Sequence, residues 1–219
     1  MSEPILTEQQ YRAYLDDLLS GNRAACMTVV EELLFREIGV RDIYLDVFQR
    51  SLYDVGVMWE QNQISVAVEH LATAITESLL TLVYPVLFRN ARVNRKAVVA
   101  CVANEYHQIG GKMVADVLEL HGWDSYFLGA NTPTPDLMDL VSRTAPDLVG
   151  LSLAVYSRMP ELQETLHQLT SRFPETRVIV GGQAFRRGGE EALRSHPGVS
   201  YVPSVEELEA VIVAKYHGA

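Results

Sequence analysis

The second half of the chain alternates between short apolar runs and helical stretches, and this alternation restricts the possible folds more than any other feature. The apolar runs lie at 98–103, 126–128, 148–153, 178–180 and 199–202. Residues with helical periodicity lie between and after them, near 110–121, 135–144, 158–173, 188–195 and 204–217. Five strands that alternate with five helices predict a parallel sheet of the doubly wound, flavodoxin-like α/β class. Ligands bind such sheets at the loops that follow the strands.

The first half has helical periodicity throughout and predicts four amphipathic helices. Thr7 and Gln10 form a capping-box pair before the first helix. The second helix is expected to end at Gly39, and the fourth to begin near Ser65. Because short connections join consecutive helices, the prediction is an antiparallel four-helix bundle. We predict a helical domain over 1–90, a charged linker over 91–96 and an α/β domain over 97–219.

Charge and cysteine usage disfavour several classes of function. The chain of 219 residues has a formal net charge of −10, which argues against the basic face that direct nucleic-acid binding requires. Cys26 and Cys101 have apolar neighbours, so we expect buried free thiols rather than a disulfide or a zinc site. Glu77 and Pro85 interrupt the apolar stretch at 71–88, which favours a buried helix over a membrane span. The N-terminus has no signal-peptide pattern, and a soluble cytoplasmic protein is expected.

The loop N-E-Y-H-Q-I-G at 104–110 follows the first predicted strand and contains a histidine. Neither G-x-G-x-x-G nor G-K-[ST] occurs in the sequence, so a nucleotide is not the favoured ligand. His107 could be a general base, a metal ligand or a surface group. Glu105 would point the same way in an extended loop and could orient the imidazole for one axial bond to a metal. Gly110 would let a ligand approach the backbone, and Gly111 is expected to add slack.

The motif E-Y-H-Q-I-G at 105–110 resembles the [D/E]-x-H-x-x-G signature of cobalamin-binding domains, as found in methionine synthase and corrinoid proteins. Two more motifs follow in the order of that family: L-S-L at 151–153 resembles its serine-containing loop, and V-G-G at 180–182 resembles its glycine pair. The resemblance implies base-off/His-on binding, in which His107 is the lower axial ligand of cobalt. The cofactor contacts expected in this domain are Glu105, Tyr106, His107, Gly110, Thr132, Ser152, Leu153, Ser157, Gly181 and Gly182.

The segment 59–70 contains W-x(9)-E-H, which periodicity alone would assign to a core tryptophan and a surface acid–histidine pair. The motif also resembles the cap of light-sensing cobalamin repressors of carotenoid synthesis, the CarH type. That resemblance implies that Trp59, Val66, Glu69 and His70 line a pocket for the adenosyl group of a cobalamin bound between the helical cap and the α/β domain. Those repressors carry a DNA-binding domain ahead of the cap, and no such domain is expected here. Glu60 stands where they have the histidine that binds cobalt after photolysis, which leaves His70 as the other candidate.

These features predict a cobalamin-binding module rather than an enzyme complete in itself. The favoured hypothesis is a sensor of light or cofactor state that binds adenosylcobalamin in preference to methylcobalamin. Its output would pass to a separate protein partner or through a homo-oligomer, with no direct contact to nucleic acid or membrane. The alternative is a corrinoid methyl carrier that serves methyltransferases. A third possibility is a mutase subunit whose substrate barrel is on another chain.

Overall fold

The fold is taken from a computed structural model, in which the described residues are 4–188, 191 and 193–216. The chain forms two compact units that meet in sequence between Arg89 and Asn90. We call them the helical unit and the α/β unit.

The helical unit contains the four predicted helical stretches. Its elements are α1 Glu8–Ser20, α2 Arg23–Phe35, α3 Val40–Ile43, a π-helical segment Tyr44–Gln49, α4 Arg50–Glu60, α5 Val66–Leu80, a 3₁₀ turn Thr81–Val83 and α6 Tyr84–Leu87. The third stretch runs through α3, the π-helical segment and α4 without a break, and the fourth through α5 and α6. Helix α5 packs against α1, α2 and α4, so it forms the centre of the unit.

The start of α1 is as predicted, whereas the end of α2 is not. The backbone N–H of Thr7 donates to Gln10 Oε1 at 2.9 Å and that of Gln10 donates to Thr7 Oγ1 at 3.3 Å, which confirms the capping box. The prediction that Gly39 ends the second helix is wrong, because α2 ends at Phe35 and Gly39 is the residue before α3. The turn is made instead by Glu37, whose φ of 56° is in the left-handed region.

One helical stretch among the described residues, Val66–Leu87, is long and apolar enough to span a membrane by length and composition. A single such helix is weak evidence, because the core helix of a bundle can meet the same criteria. In this stretch, the residues buried within α5 are Ala72, Ile75, Thr76, Leu79 and Leu80. These residues form one buried face, and 33 % of the most apolar part of the stretch is buried inside the protein.

The α/β unit contains a five-stranded, wholly parallel sheet of order β2-β1-β3-β4-β5. Its strands are β1 Lys96–Cys101, β2 Asp124–Phe127, β3 Leu148–Ser152, β4 Arg177–Gly181 and β5 Val199–Tyr201. Its α-helices are α7 Ile109–Leu120, α8 Thr134–Thr144, α9 Met159–Arg172 and α10 Val205–Tyr216, and 3₁₀ turns cover Tyr156–Arg158 and Gln183–Arg187. This strand order confirms the flavodoxin-like class.

Three details of the α/β unit differ from the sequence prediction or go beyond it. The helix predicted near 188–195 falls partly on residues 189, 190 and 192, which lie outside the described residues, and the neighbours that are described form 3₁₀ and turn structure. The last residue of the final predicted helix, 217, also lies outside them. Helix α8 begins at Thr134 itself, and the Thr134 hydroxyl lies 3.0 Å from Thr165 Oγ1 on α9 instead of capping the helix.

The strand register brings three loops to the same edge of the sheet. Cys101 at the end of β1 pairs with Ser152 at the end of β3, and Ser152 pairs with Gly181 at the end of β4. The loops that follow these strands therefore start side by side. The order of the strands also places the change in winding direction between β1 and β3, which is where doubly wound folds bind ligands.

Candidate functional site

His107 lies in the loop after β1 and is held by the carboxylate of Glu105. His107 Nδ1 lies 2.6 Å from Glu105 Oε1, and the same oxygen accepts the backbone N–H of His107 at 2.9 Å. An ionised carboxylate can only accept hydrogen bonds, so Nδ1 carries the hydrogen. Coordination to a metal would then use Nε2. The exposed share of the His107 side chain is 58 %, so the ring is accessible to a ligand.

The other carboxylate oxygen of Glu105 is held by a different loop. Oε2 accepts the backbone N–H groups of Ala154 and Val155, each at 2.9 Å, just after β3. Burial alone would raise the pKa of this carboxyl group, but the hydrogen bonds from His107, Val155 and Ala154 outweigh it and lower the pKa to about 2. Glu105 is therefore an ionised and fully hydrogen-bonded group inside the protein.

The two loops that meet at Glu105 also carry exposed apolar side chains. Tyr106 is 66 % exposed, and Val155 and Tyr156 in the loop after β3 are 38 % and 50 % exposed. Large apolar groups that a folded chain leaves exposed together often mark a binding surface. A flat, largely apolar ring that is ligated through a histidine would cover such side chains. The residues at this edge therefore fit a corrin ring.

The glycines of the site have different physical roles. A Cβ on Gly110 would have Ser152 Oγ as its nearest neighbour, at 4.0 Å, so the backbone there is open as predicted. A Cβ on Gly111 would lie 3.2 Å from Phe127 and 3.3 Å from Ser152 Cβ. The expectation that Gly111 adds slack is therefore wrong, because this glycine lies inside α7 and lets the helix pack closely on the sheet.

The backbone conformation and the close backbone neighbours explain the predicted glycine pair after β4. Gly182 has a φ of 111°, and a Cβ there would lie 2.2 Å from the carbonyl oxygen of Leu153. A Cβ on Gly181 would lie 3.0 Å from the carbonyl oxygen of Val202. Only glycine can stand at position 182, since both the conformation and the close approach exclude a side chain. The pair thus brings the chain after β4 against the end of β3.

The remaining predicted residues of the α/β unit differ in accessibility. Ser152 is half-buried at the end of β3, and Leu153 is fully buried in the core. Leu153 can therefore offer a ligand only its backbone, which already bonds Gly181 and Ala184. Ser157 is exposed in the 3₁₀ turn that follows Val155.

The loop after β2 is tied to the histidine loop by contacts that the sequence reasoning did not identify. Thr132 is buried, and its backbone N–H donates to the carbonyl of Cys101 at 3.2 Å. Asn131 donates its N–H to the carbonyl of Glu105 at 2.7 Å, and its side chain accepts the N–H of Asn104 at 2.8 Å. Gln108 accepts the N–H of Ala130 at 3.1 Å. Asn104 and Asn131 both have positive φ angles, a signal that asparagine in a loop could have provided.

The four residues predicted in the helical unit lie close together in sequence around the turn from α4 to α5. Trp59 is the last but one residue of α4 and is 47 % exposed, and Val66 opens α5 and is 52 % exposed. His70 Nε2 lies 3.5 Å from Glu69 Oε2, and Glu69 Oε1 accepts the Thr73 hydroxyl at 3.1 Å. Periodicity alone would have assigned Trp59 to the core, and its exposure shows that it is not a core residue.

The fold and the site together define a flavodoxin-like ligand-binding domain that follows a helical domain. A family model described as the B12 binding domain matches residues 95–212, and a second with the same description matches residues 10–84. The first match covers more than half of the chain. The chain therefore belongs to the B12-binding domain family, whose ligand is cobalamin.

Two transcriptional repressors of Myxococcus xanthus are similar in sequence. The HTH-type transcriptional repressor CarA is 35 % identical over 157 residues, which is 68 % of this chain and 51 % of the repressor. The HTH-type transcriptional repressor CarH is 32 % identical over 143 residues, 64 % of this chain and 47 % of that repressor. The chain thus spans about half the length of the curated relatives it matches.

Solved structures show the same fold. The monomethylamine corrinoid protein of Methanosarcina barkeri superposes with a TM-score of 0.79 at 15 % identity, covering 92 % of this chain and 96 % of that one. The methanol:cobalamin methyltransferase complex MtaBC from the same organism gives 0.53 at 13 % identity, covering 99 % of this chain and 87 % of that one. At such identities the similarity concerns the fold alone.

Proposed function

We propose that this protein binds adenosylcobalamin in the base-off/His-on form and acts as a sensor of light or of cofactor state. The observation that carries the proposal is the geometry of His107, an exposed imidazole whose Nδ1 is held 2.6 Å from a buried carboxylate. A carboxylate that accepts a hydrogen bond from one ring nitrogen orients the imidazole and makes the other nitrogen a better metal ligand. In the proposal His107 binds cobalt from below, while Tyr106, Val155 and Tyr156 meet the lower face of the ring.

The helical unit would contribute the contacts to the upper ligand. Trp59 and Val66 offer exposed apolar surface, and Glu69 and His70 offer hydrogen-bonding groups that suit the ribose hydroxyls or the adenine. Cobalamin would supply a cobalt–carbon bond that can break, and the protein would supply binding, orientation and exclusion of water. Since Glu60 occupies the position of the upper histidine in the family resembled, another group would have to take the upper position after light exposure, and His70 is the candidate.

The output would pass to a separate protein or through assembly of this chain with itself. Residues 1–90 contain six basic and 13 acidic side chains, a net charge of −7, which disfavours direct contact with nucleic acid. The similarity to CarA and CarH supports the sensor. The similarity covers about half of each repressor, so it supports the sensing role and not the repressors' own activity.

A methyl carrier is the second candidate, and one observation favours it. The fold matches that of a corrinoid protein over nearly the full length of both chains, so this architecture is compatible with a carrier. A carrier has to expose cobalt to its methyltransferases and has less need of an adenosyl pocket. The response to the adenosyl group therefore separates the two candidates.

The test is a visible absorption spectrum of the protein with adenosylcobalamin in the dark and after green light, with size-exclusion chromatography of both samples. A base-off/His-on spectrum that changes with light, together with a change in assembly, is the result expected of the sensor. Binding without a change in assembly would favour the carrier. Absence of binding to any corrinoid would overturn both candidates.

Two substitutions locate the contacts. His107→Ala should remove the His-on features of the spectrum, whereas His167→Ala, which removes another exposed histidine of the α/β unit, should leave them unchanged. Trp59→Ala should weaken binding of adenosylcobalamin more than that of methylcobalamin. Phe35→Ala removes an exposed aromatic elsewhere in the helical unit and should affect neither. Equal losses for both cobalamins in Trp59→Ala would refute the adenosyl pocket.

A further inference from the structure

The outer surface of α2 carries an aromatic side chain that is almost wholly exposed. Phe35, the last residue of α2, is 89 % exposed, the largest share of any large apolar side chain among the described residues. Met27, about two turns earlier on the same helix, is also exposed. Helix α2 packs against α1 and α5, and its buried residues are Cys26, Val30 and Leu33. Phe35 therefore contributes little to the core of the helical unit.

A groove on the surface of α2 lies beside this phenylalanine. It is lined by Thr28, Glu31, Glu32, Phe35 and Arg36. All five residues belong to α2 or directly follow it, so the groove lies along one helix and does not enclose a ligand. Small molecules are usually bound in clefts that bury most of their surface. An exposed aromatic side chain beside an open groove is more typical of a surface that contacts another protein.

The charges around the groove determine which kind of partner it suits. Glu31 and Glu32 are exposed, and neither forms an ion pair with a residue in the described ranges 4–188, 191 and 193–216. The Arg36 guanidinium donates instead to the carbonyl of Ile5, at 3.5 Å. The 13 acidic and six basic side chains of residues 1–90 add to the negative potential. Nucleic acid, anionic lipid or an acidic peptide would be repelled, whereas lysine and arginine side chains would be attracted.

We propose that the face of α2 around Phe35 docks a partner protein through a basic amphipathic segment. That segment places an apolar side chain on Phe35 and lysine or arginine side chains beside Glu31 and Glu32. An amphipathic helix that lays its apolar face in a groove is a common form of such recognition. The aromatic contact supplies most of the binding free energy, and the complementary charges orient the partner. None of these residues belongs to the proposed cobalamin site, so the docking surface does not rest on the proposed function.

The test measures binding of a synthetic helical peptide to the cofactor-free protein. The peptide has leucine along one face, lysine along the other and a fluorescent label, so that fluorescence anisotropy reports its binding. Two-dimensional ¹H–¹⁵N NMR locates the site, and the shifted amides should cluster within residues 27–36. Added salt should weaken binding, because the charges involved are exposed. The same peptide with glutamate in place of lysine should bind at least about tenfold more weakly.

The first pair of variants tests the aromatic contact. Phe35→Ala should weaken binding of the lysine peptide by about fivefold or more, as expected for the central aromatic residue of an interface. Phe88→Ala is the matched control, because it removes another exposed phenylalanine of the helical unit, and its affinity should stay within about twofold of the wild type. Both side chains are exposed, and circular dichroism of each variant checks that the fold is retained.

The second pair of variants separates contact from general attraction to an acidic protein. Glu31→Gln together with Glu32→Gln should weaken binding of the lysine peptide by about threefold or more and reduce its salt dependence. Glu206→Gln together with Glu207→Gln removes the same charge from two neighbouring exposed glutamates of α10. That control should bind the peptide within about twofold of the wild type.

The outcomes that would overturn the docking surface are specific. They are absence of peptide binding, shifted amides outside residues 27–36, equal affinity for the lysine and glutamate peptides, or equal effects of Phe35→Ala and Phe88→Ala. Shifts of the same amides with protein concentration alone, abolished by Phe35→Ala, would show that a second copy of this chain covers the face and would also overturn it. Cobalamin spectra of the same variants test the proposed function separately, since the peptide measurements use no cofactor.

Discussion

Gly182→Ala is the substitution whose effect the structure specifies most fully. Gly182 has φ 111° and ψ 170°, a combination that residues with a Cβ essentially never adopt. An added Cβ would lie 2.2 Å from the Leu153 oxygen and 2.7 Å from its carbonyl carbon. Both neighbours are backbone atoms in the core of the site, so they cannot turn aside as the end of a side chain can. We therefore expect the chain after β4 to move away from the chain after β3.

The cost can be estimated from the strain and from the hydrogen bonds beside the clash. The forbidden conformation contributes about 1–3 kcal/mol. Leu153 donates to Gly181 at 3.0 Å and accepts from Ala184 at 3.2 Å, and lengthening these two bonds costs about 1 kcal/mol each. The variant should therefore lose about 3–5 kcal/mol, a large part of the roughly 5–15 kcal/mol by which a domain is stable.

Urea denaturation followed by the fluorescence of Trp123 measures this loss. The chain has two tryptophans, and in a Trp59→Phe background the buried Trp123 reports on the α/β unit alone. With a denaturant slope of about 2 kcal/mol/M, the midpoint should fall by about 1.5–2.5 M. Gly110→Ala is the matched control, because its Cβ would meet no atom closer than 4.0 Å and its midpoint should stay or rise. Equal midpoints for Gly182→Ala and its parent would refute the reasoning.

Three further predictions concern other parts of the chain. Gly122→Ala places a Cβ 2.2 Å from the Ala91 carbonyl oxygen at a φ of +80°, so it should lower the same urea midpoint by about 1 M or more, and an unchanged midpoint would show that this contact does not form. Burial raises the pKa of the Cys26 thiol to about 11 and that of Cys101 to about 12, so neither should react with Ellman's reagent at pH 8 until urea unfolds the protein; rapid reaction of the native protein would contradict their burial. Thr7→Ala should lower the free energy of unfolding of the helical unit by about 1 kcal/mol, measured by urea denaturation followed by circular dichroism, because the hydroxyl that caps α1 is lost. Thr7→Ser retains that hydroxyl and should keep the stability of the wild type.

The fold was largely predictable because it depends on patterns that extend over many residues. Apolar runs and helical periodicity identified the five strands and four of the five helices of the sheet domain, and the strand order follows the class they indicate. Ends of elements were less predictable, since the end of the second helix at Gly39 was assigned from residue type alone. In the turn before Gly39 the residue with a left-handed backbone is Glu37. A glutamate rarely adopts that conformation, so its residue type gave no indication of the turn. The domain boundaries remain a prediction, as does each residue's contact with the cofactor.

The side-chain contacts of the site could be predicted from the sequence, whereas its backbone contacts could not. The spacing of Glu105 and His107 indicated their contact, and the structure shows it. The N–H groups of Ala154 and Val155 that hold the same carboxylate belong to residues with no polar side chain, so no pattern in the sequence marks them. Gly111 was misjudged because a glycine that permits close packing of a helix cannot be told from a flexible one without its neighbours.

The binding edge is assembled by contacts that do not involve a ligand. Glu105 links the loops after β1 and β3, Gly182 brings the loop after β4 against Leu153, and Asn131 joins the loop after β2 to Glu105. Since the loops are already held, binding does not have to order them, and less of the binding free energy is lost to conformational entropy. The exposed apolar side chains beside His107 therefore lie on loops that are already fixed in position. A ligand that requires one axial nitrogen and an apolar face gains most from that arrangement, whereas a ligand held by many flexible polar groups would gain little.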